Sequence, residues 1–336
     1  MKLIYSGSVK NLYLDEDGEH LWFEYTDSFS VFDWGRMPDP IPGKGLALAT
    51  LGEWFFKTLE DAAAWKRAGL AEDPNIAPWL PIRHHFVERR DNRLKVLRVE
   101  VPRIEPSQVG GTLVYDYDFA PAARQLIPLE VIFRFGVPAG SSLLERKDWY
   151  SFDIHEGAEF LHPLIEFSTK LESKDRMLTY QEAAHVLKGS AADLARVYGQ
   201  TYAVACLLRS LFAERGLKLW DGKLEWAFCD GAIALVDSIG PDELRVGEGE
   251  AVFSKQFLRD FYLGGEWEQA VQKATSTAKS RGEADWKRIV EEELRVAPPR
   301  LSSPYLEAAQ ALYGDFVTLL VEGRPSTRFT DSLKKL

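Results

Sequence analysis

Two cysteines in 336 residues, Cys206 and Cys229, are too few for a disulfide scaffold or a multi-cysteine zinc site. A reducing, cytoplasmic setting is the simplest expectation. Long apolar runs are missing as well. No stretch approaches the roughly 20 residues a membrane-crossing helix needs, and the opening MKLIYSGSVK holds no apolar core long enough for a secretory signal. Positive charge is in deficit, with 41 Lys and Arg against 51 Asp and Glu and a formal net charge of −10. That argues against nucleic-acid or anionic-membrane binding but permits a basic pocket inside a cleft. The six histidines show one adjacent pair, His84 and His85. Neighbours on a strand face opposite sides, so a shared metal there is disfavoured. There is no repeat, heptad run or low-complexity tract.

What is present fits an ordinary globular protein, 46% apolar and 27% charged, long enough for one large domain or two. Residues 2–27 and 82–101 alternate in the manner of strands and carry Asp-Gly and Asp-Asn turns, a meander of hairpins. Between them, residues 48–69 place Leu51, Trp54, Phe55, Leu59 and Ala62 on one helical face. The turn-rich segment 103–125 reads as an insertion, and 126–135 as a buried strand. Residues 180–215 predict helix with breaks near Gly189 and Gly199. Residues 217–240 predict two strands joined at Cys229-Asp230-Gly231, and the stretches 254–262, 284–296 and 304–323 predict helices. Antiparallel strands with segregated helices imply an α+β fold with a cleft between two lobes. The expected division is a β-rich lobe at 1–126 and a larger α+β lobe at 127–336.

Glu225 and Asp237 end strands joined by a tight turn, so their carboxylates can approach across the pair. Mg²⁺ takes oxygen ligands from one or two carboxylates plus phosphates. A solvated acidic residue is the plainer reading for Glu225. Asp237 follows the apolar run AIALV, where an unpaired charge is costly. Lys10, Lys44, Arg134, Lys170, Lys223 and Arg245 each sit beside a turn or strand end, and each alone reads more simply as surface charge. Gly7-Ser8 ahead of Lys10 serves either a hairpin turn or a backbone cradle for phosphate. PAGSS at 138–142 beyond Arg134 serves either a flexible loop or a monophosphate site.

Taken in order, several stretches resemble one family, the phosphoribosylaminoimidazole-succinocarboxamide (SAICAR) synthetases, which have an ATP-grasp-like fold. They are YSGSVKNLY (5–13), YTDSFSVFD (25–33), PIPGKG (40–45), HFVERR (85–90), IPLEVIFR (127–134) with AGSS (139–142), STK (168–170), GLKLWDGKLEW (216–226), ALVDSIGPDELR (234–245) and KQFLRDF (255–261). The resemblance implies an ATP-dependent ligase. It phosphorylates the carboxylate of an aminoimidazole ribotide and passes the acyl group to the amine of aspartate in purine biosynthesis. ATP and Mg²⁺ are the implied cofactors, and small molecules the implied partners, with a homo-oligomer the further option.

The resemblance also implies roles by residue. Gly7, Ser8 and Lys10 would meet the ATP phosphates, Lys170 and Lys223 would join them, and Ile127 would lie at the adenine hinge. Glu225 and Asp237 would hold Mg²⁺. Arg134, Ser141 and Arg245 would take the ribotide phosphate, with Asp33 and Asp242 orienting the imidazole or the amine. The chain departs from the family at Ser8, where a lysine is usual, and at Ser28, where an arginine is usual. Ser238 and Glu243 stand where the family has Glu and Ser. The expectation is that Glu243 points away from the ribotide phosphate and the ordinary substrate binds. A diverged paralogue acting on another carboxylate and amine is the alternative, and a non-catalytic nucleotide-binding protein the third reading. Retention of Lys10, Lys170, Glu225 and Asp237 together speaks against the last.

Overall fold

Period-two patterning builds the first sheet of the computed structural model, which describes residues 1–110, 112–120, 122–248, 251–281, 283 and 285–336. Strands β1 (Lys2–Ser6), β2 (Lys10–Leu14), β3 (His20–Tyr25), β5 (Phe86–Arg90) and β6 (Arg93–Leu97) pair antiparallel in the order β1-β2-β3-β6-β5. Between β3 and β5, the short β4 (Arg83–His84) leaves this sheet and joins the second one.

The second sheet runs β11-β10-β9-β12-β13-β4. It uses β9 (Arg124–Gly136), β10 (Glu159–Thr169), β11 (Met177–Leu178), β12 (Lys218–Cys229) and β13 (Ala232–Val236). β12 also pairs with β14 (Leu244–Glu248), which pairs with β15 (Ala251–Phe253). Asp230 and Gly231, at φ 51° and 80°, make the two-residue turn between β12 and β13. An Asp-Gly pair tolerates those angles, so this hairpin was legible in the sequence. The segment 103–125 contains a separate hairpin, β7 (Glu105–Val109) with β8 (Thr112–Asp116), which joins neither large sheet. Gly111 and Pro121 of that segment lie outside the described residues, as does Ala284 of the 284–296 stretch.

Helix α1 (Lys44–Glu60) packs against the first sheet, with Phe56 stacked on Phe86 of β5, and buries Leu48, Leu51, Phe55 and Leu59, Phe55 meeting Phe212. The expected helical face ran on to Ala62. Instead Asp61 stops α1 and caps α2 (Ala62–Arg67) by accepting from the Ala63 amide at 2.9 Å, leaving Ala62 exposed. The 180–215 stretch does break at Gly189. There α3 (Tyr180–Leu187) ends, and Ser190 with Asp193 forms a capping box for α4 (Ala191–Ala213). No break occurs at Gly199. α4 passes through it intact and lies across β9, β10 and β12. The C-terminal part holds α5 (Gln256–Tyr262), α6 (Glu266–Arg281), α7 (Trp286–Arg288), α8 (Ser303–Phe316) and α9 (Arg328–Leu333). One buried cluster runs from Leu21 and Phe23 through Leu129 and Trp226 to Phe316 and Phe329. No helix among the described residues is long and apolar enough to cross a membrane.

Gly199 is a glycine because the Trp79 ring occupies its side-chain space: an added Cβ would sit 2.2 Å from Trp79 Cε2. Helix propensity favours alanine over glycine by about 1 kcal/mol, while forcing a methyl into a packed contact costs about 1–3 kcal/mol. Gly199→Ala is therefore expected to lower stability in urea denaturation despite the better helix former. A stabilised variant would show that Trp79 moves aside freely.

Candidate active site

Residues of both sheets line a cavity of about 940 Å³. Leu12, Leu21, Phe23 and Leu97 face it from the first sheet, Leu126 and Val236 from the second, and half-exposed Ile4 and Tyr5 from β1. Such apolar lining suits a flat heteroaromatic group. The polar groups in the lining include Lys10, His85, Lys170, Glu225 and Asp237.

Strand register gathers these charges. Glu225 on β12 stands opposite Val236 on β13 and opposite Glu130 on β9, and Asp237 follows β13 directly. Three carboxylates thus crowd one place, and three lysines separate them. Lys10 pairs with Asp237. Lys170 Nζ lies 2.6 Å from Glu225 Oε1 and 3.8 Å from Glu130 Oε1, and Lys223 Nζ lies 2.6 Å from Glu130 Oε1. Burial opposes the charge on Asp237, yet Lys10 and Lys170 bring its pKa down to about 2. Burial and the neighbouring Asp237 push Glu225 up to about 7 even with Lys170 in place. Burial works against the Lys10, Lys170 and Lys223 ammonium groups as well, but Asp237, Glu225 and Glu130 respectively raise them above the ordinary lysine value. Asp237 has φ 63°, and its carbonyl accepts from His85 Nε2 at 3.1 Å. Burial takes the pKa of His85 down to about 3, so its ring is neutral.

A second cluster adjoins the first. Lys44, wholly buried, donates to Asp242 Oδ2 at 2.9 Å, and Tyr313 of α8 donates to Oδ1 at 2.7 Å. Burial opposes this charge too, but Lys44 and Lys255 hold the Asp242 carboxyl well below the usual range. Burial and the carboxylates of Asp242 and Asp237 push Glu243 up to about 7, and its buried Oε2 has no hydrogen-bond partner among the described residues. Arg245 grips Asp221 through two nitrogens, one at 2.7 Å. Arg259 of α5 has a single side-chain partner among the described residues, Gln256 Oε1 at 3.2 Å. Burial and neighbouring Arg245 hold its pKa below the usual arginine range, with Asp33 and Asp242 acting in the opposite sense.

The expected residues Lys10, Lys170, Lys223, Glu225 and Asp237 come together here, with Asp242 and Arg245 beside them. The six others stand differently. Arg134 is 4% exposed and donates to Glu166 at 2.6 Å, Asp221 at 2.9 Å and Ser142 at 3.3 Å, so its charge is already spent. Ser141 is buried and caps the following turn at Leu143, while Ser142 is exposed. Ile127 points into the main core; its neighbour Leu126 is the residue that faces the cavity. The Gly7 amide, expected at a phosphate, instead donates to the Lys10 carbonyl at 2.9 Å, with Ser8 at the hairpin tip. Asp33 is exposed with φ 55°, on the side of Arg259 and Asp175. The sequence reading gave no role to His85, Glu130 or Arg259, and put the adenine hinge on the strand from Leu126 through Ile127 without saying which faces inward. Strand parity signals His85 and Glu130, and Arg259 lies in KQFLRDF, a stretch quoted without a role.

A family profile described as SAICAR synthetase matches residues 3–276. A relative from Archaeoglobus fulgidus is 32% identical over 327 residues, covering 92% of each chain. The chain belongs to the SAICAR synthetase family. A solved SAICAR synthetase in complex with ADP is 25% identical with a TM-score of 0.56, covering 88% of this chain and 99% of that one. The Saccharomyces cerevisiae SAICAR synthase complexed with SAICAR shares the fold at TM-score 0.61 and 21% identity, covering 97% and 96% of the two chains. SAICAR synthetases are ATP-dependent ligases that join the carboxylate of carboxyaminoimidazole ribotide to the amine of L-aspartate in purine biosynthesis.

The raised carboxyls predict a pH dependence of stability. An ordinary glutamate titrates at 4.5 and folded Glu243 at about 7, so between those values the folded chain binds the extra proton. Its contribution is then lost as pH rises through that window, and Glu225 acts in the same direction. Without ligands, Tm is expected to be higher at pH 5 than at pH 7.5, and Glu243→Gln should narrow the gap. An unchanged gap in calorimetry would refute the placement of Glu243.

Proposed function

We propose that this chain performs the SAICAR synthetase reaction with its nucleotide in the 940 Å³ cavity and its phosphoryl transfer at the lysine–carboxylate cluster. That cluster is the observation that carries the reading. The adenine would lie between the β1–β3 side chains and Leu126 with Val236. Lys10, Lys170 and Lys223 would turn to the phosphates. The donor set suits Mg²⁺: hard carboxylate oxygens from Glu225 and Asp237, with Glu225 still held up to about 7 despite the lysines around it. Glu130 stands next to Glu225, but no three His, Cys, Asp or Glu side chains converge to metal-holding geometry among the described residues, which leaves phosphate oxygens and water for the other positions. Bound there, Mg²⁺ would neutralise charge on the transferring phosphoryl group.

The ribotide phosphate is assigned to Arg245 and Arg259 with exposed Ser142, and Arg134 to holding Asp221 against Arg245. The ribotide carboxylate attacks the γ-phosphorus, ADP departs, and the aspartate amine then displaces phosphate from the acyl phosphate. Asp242, with both oxygens engaged and its pKa lowered, is a poor proton acceptor and serves to fix Lys44. Asp33, exposed and without a side-chain hydrogen bond or ion pair among the described residues, is free to orient the amine. Glu243, raised to about 7 by burial and by Asp242 and Asp237, carries less charge near neutral pH than an ordinary glutamate, which eases its conflict with an anionic substrate and fits the ordinary ribotide.

Phosphate release from ATP should require both the carboxylated ribotide and aspartate. Asp237→Asn is expected to cut turnover about 100-fold or more while circular dichroism stays native. Near-normal turnover at saturating Mg-ATP would sink the metal assignment.

Arg259→Lys keeps the charge but loses the planar fork. It should raise KM for the ribotide about tenfold and leave KM for ATP alone. Equal shifts in both would move Arg259 out of the ribotide site.

A further inference from the structure

A two-stranded hairpin is marginal in water by itself, and all five residues of β7 are exposed. The β7–β8 hairpin therefore keeps its place through what it grips. Tyr115 on β8 donates to Ser173 Oγ at 2.6 Å and accepts from the Ser173 amide at 2.9 Å. Tyr117, just past β8 and 4% exposed, donates to Glu172 Oε1 at 2.8 Å. Glu172 is held a second time by Arg176 Nη2 at 3.0 Å. The Thr169 amide to the Arg176 carbonyl, and the Arg176 amide to Thr169 Oγ1, close the base of the loop at 3.0 Å each.

Those contacts converge on the connection between β10 and β11, residues 170–176. Its first two residues, Lys170 and Leu171, line the nucleotide cavity, and Lys170 is the lysine shared between Glu225 and Glu130. At its far side Asp175, its pKa raised by burial and Glu130, lies in the field of Lys223 and Asp33. A loop free to sample many conformations would have to be ordered each time a nucleotide bound, at a cost in affinity.

We propose that the β7–β8 hairpin is a clamp on the 170–176 loop, with Tyr115 and Tyr117 as positioning residues that set Lys170 and Leu171 against the bound nucleotide. The segment that looked like an insertion thus acts on one substrate of three. This rests on the nucleotide reading of the cavity.

The test uses Tyr115→Phe, Tyr117→Phe and the double variant, which remove hydroxyl groups and no packing volume. The readouts are Tm, kcat, the KM for each substrate, and amide hydrogen exchange. The double variant is expected to exchange about tenfold faster across 170–176 and to raise KM for ATP about fivefold, the effect of roughly one hydrogen bond. KM for aspartate should stay within about twofold, with Tm nearly unchanged. Faster loop exchange with an unaltered KM for ATP would overturn the clamp alone, as would unchanged exchange, or a parallel drop of every kinetic parameter with Tm. If Mg-ATP gives the wild type no exchange protection in residues 2–14, the nucleotide reading falls and the clamp with it.

Discussion

Three carboxylates held within reach of one another by β-sheet register set the terms for the rest of the molecule. Glu130, Glu225 and Asp237 cannot share a partly desolvated place without cations between them, because burying unpaired charge is far costlier than pairing it. Lys10, Lys170 and Lys223 supply that charge from three different parts of the chain. The first sheet must therefore approach the second closely enough for Lys10 to reach Asp237. On β12, Lys223 and Glu225 face the cluster while Leu224 and Trp226 are buried in the core at 1% and 0% exposure. A slip of one residue would exchange the two sets. Core packing and site assembly are thus one condition on register.

The phosphoryl transfer proposed for the cluster would draw on the same arrangement. Each lysine is already placed and already charged, so a triphosphate has only to compete with a carboxylate for it. Each carboxylate so released would become a ligand for the cation that accompanies the nucleotide. Positioning would then do most of the work such a loose transition state asks for.

Much of this was legible where local chemistry decides. The Asp230-Gly231 turn, the α1 face around Leu51 and Phe55, and the helix break at Gly189 follow from turn angles, periodicity and capping. The lysines and carboxylates were found through ordered motifs. Side-chain direction within continuous apolar strands was not legible. LIPLEV gives no alternation to say that Leu126 and not Ile127 faces the cavity; only pairing with β12 fixes it. Arg134 misled for a related reason. Its partners Glu166 and Asp221 stand 32 and 87 residues away, so nothing nearby shows that its charge is spent. Gly199 looked like a helix breaker because Trp79, which demands it, arrives from a distant turn.

The contact between Tyr313 and Asp242 bears on where this enzyme ends. The family signature runs to residue 276, yet among the described residues one oxygen of a buried carboxylate beside the cluster takes its hydrogen bond from residue 313, whose ring also lies 5.2 Å from the Lys44 ammonium. Recognisable ancestry and mechanical completeness therefore have different boundaries. A shortened chain would keep every motif by which the family is known while leaving Asp242 half satisfied and Lys44 uncovered.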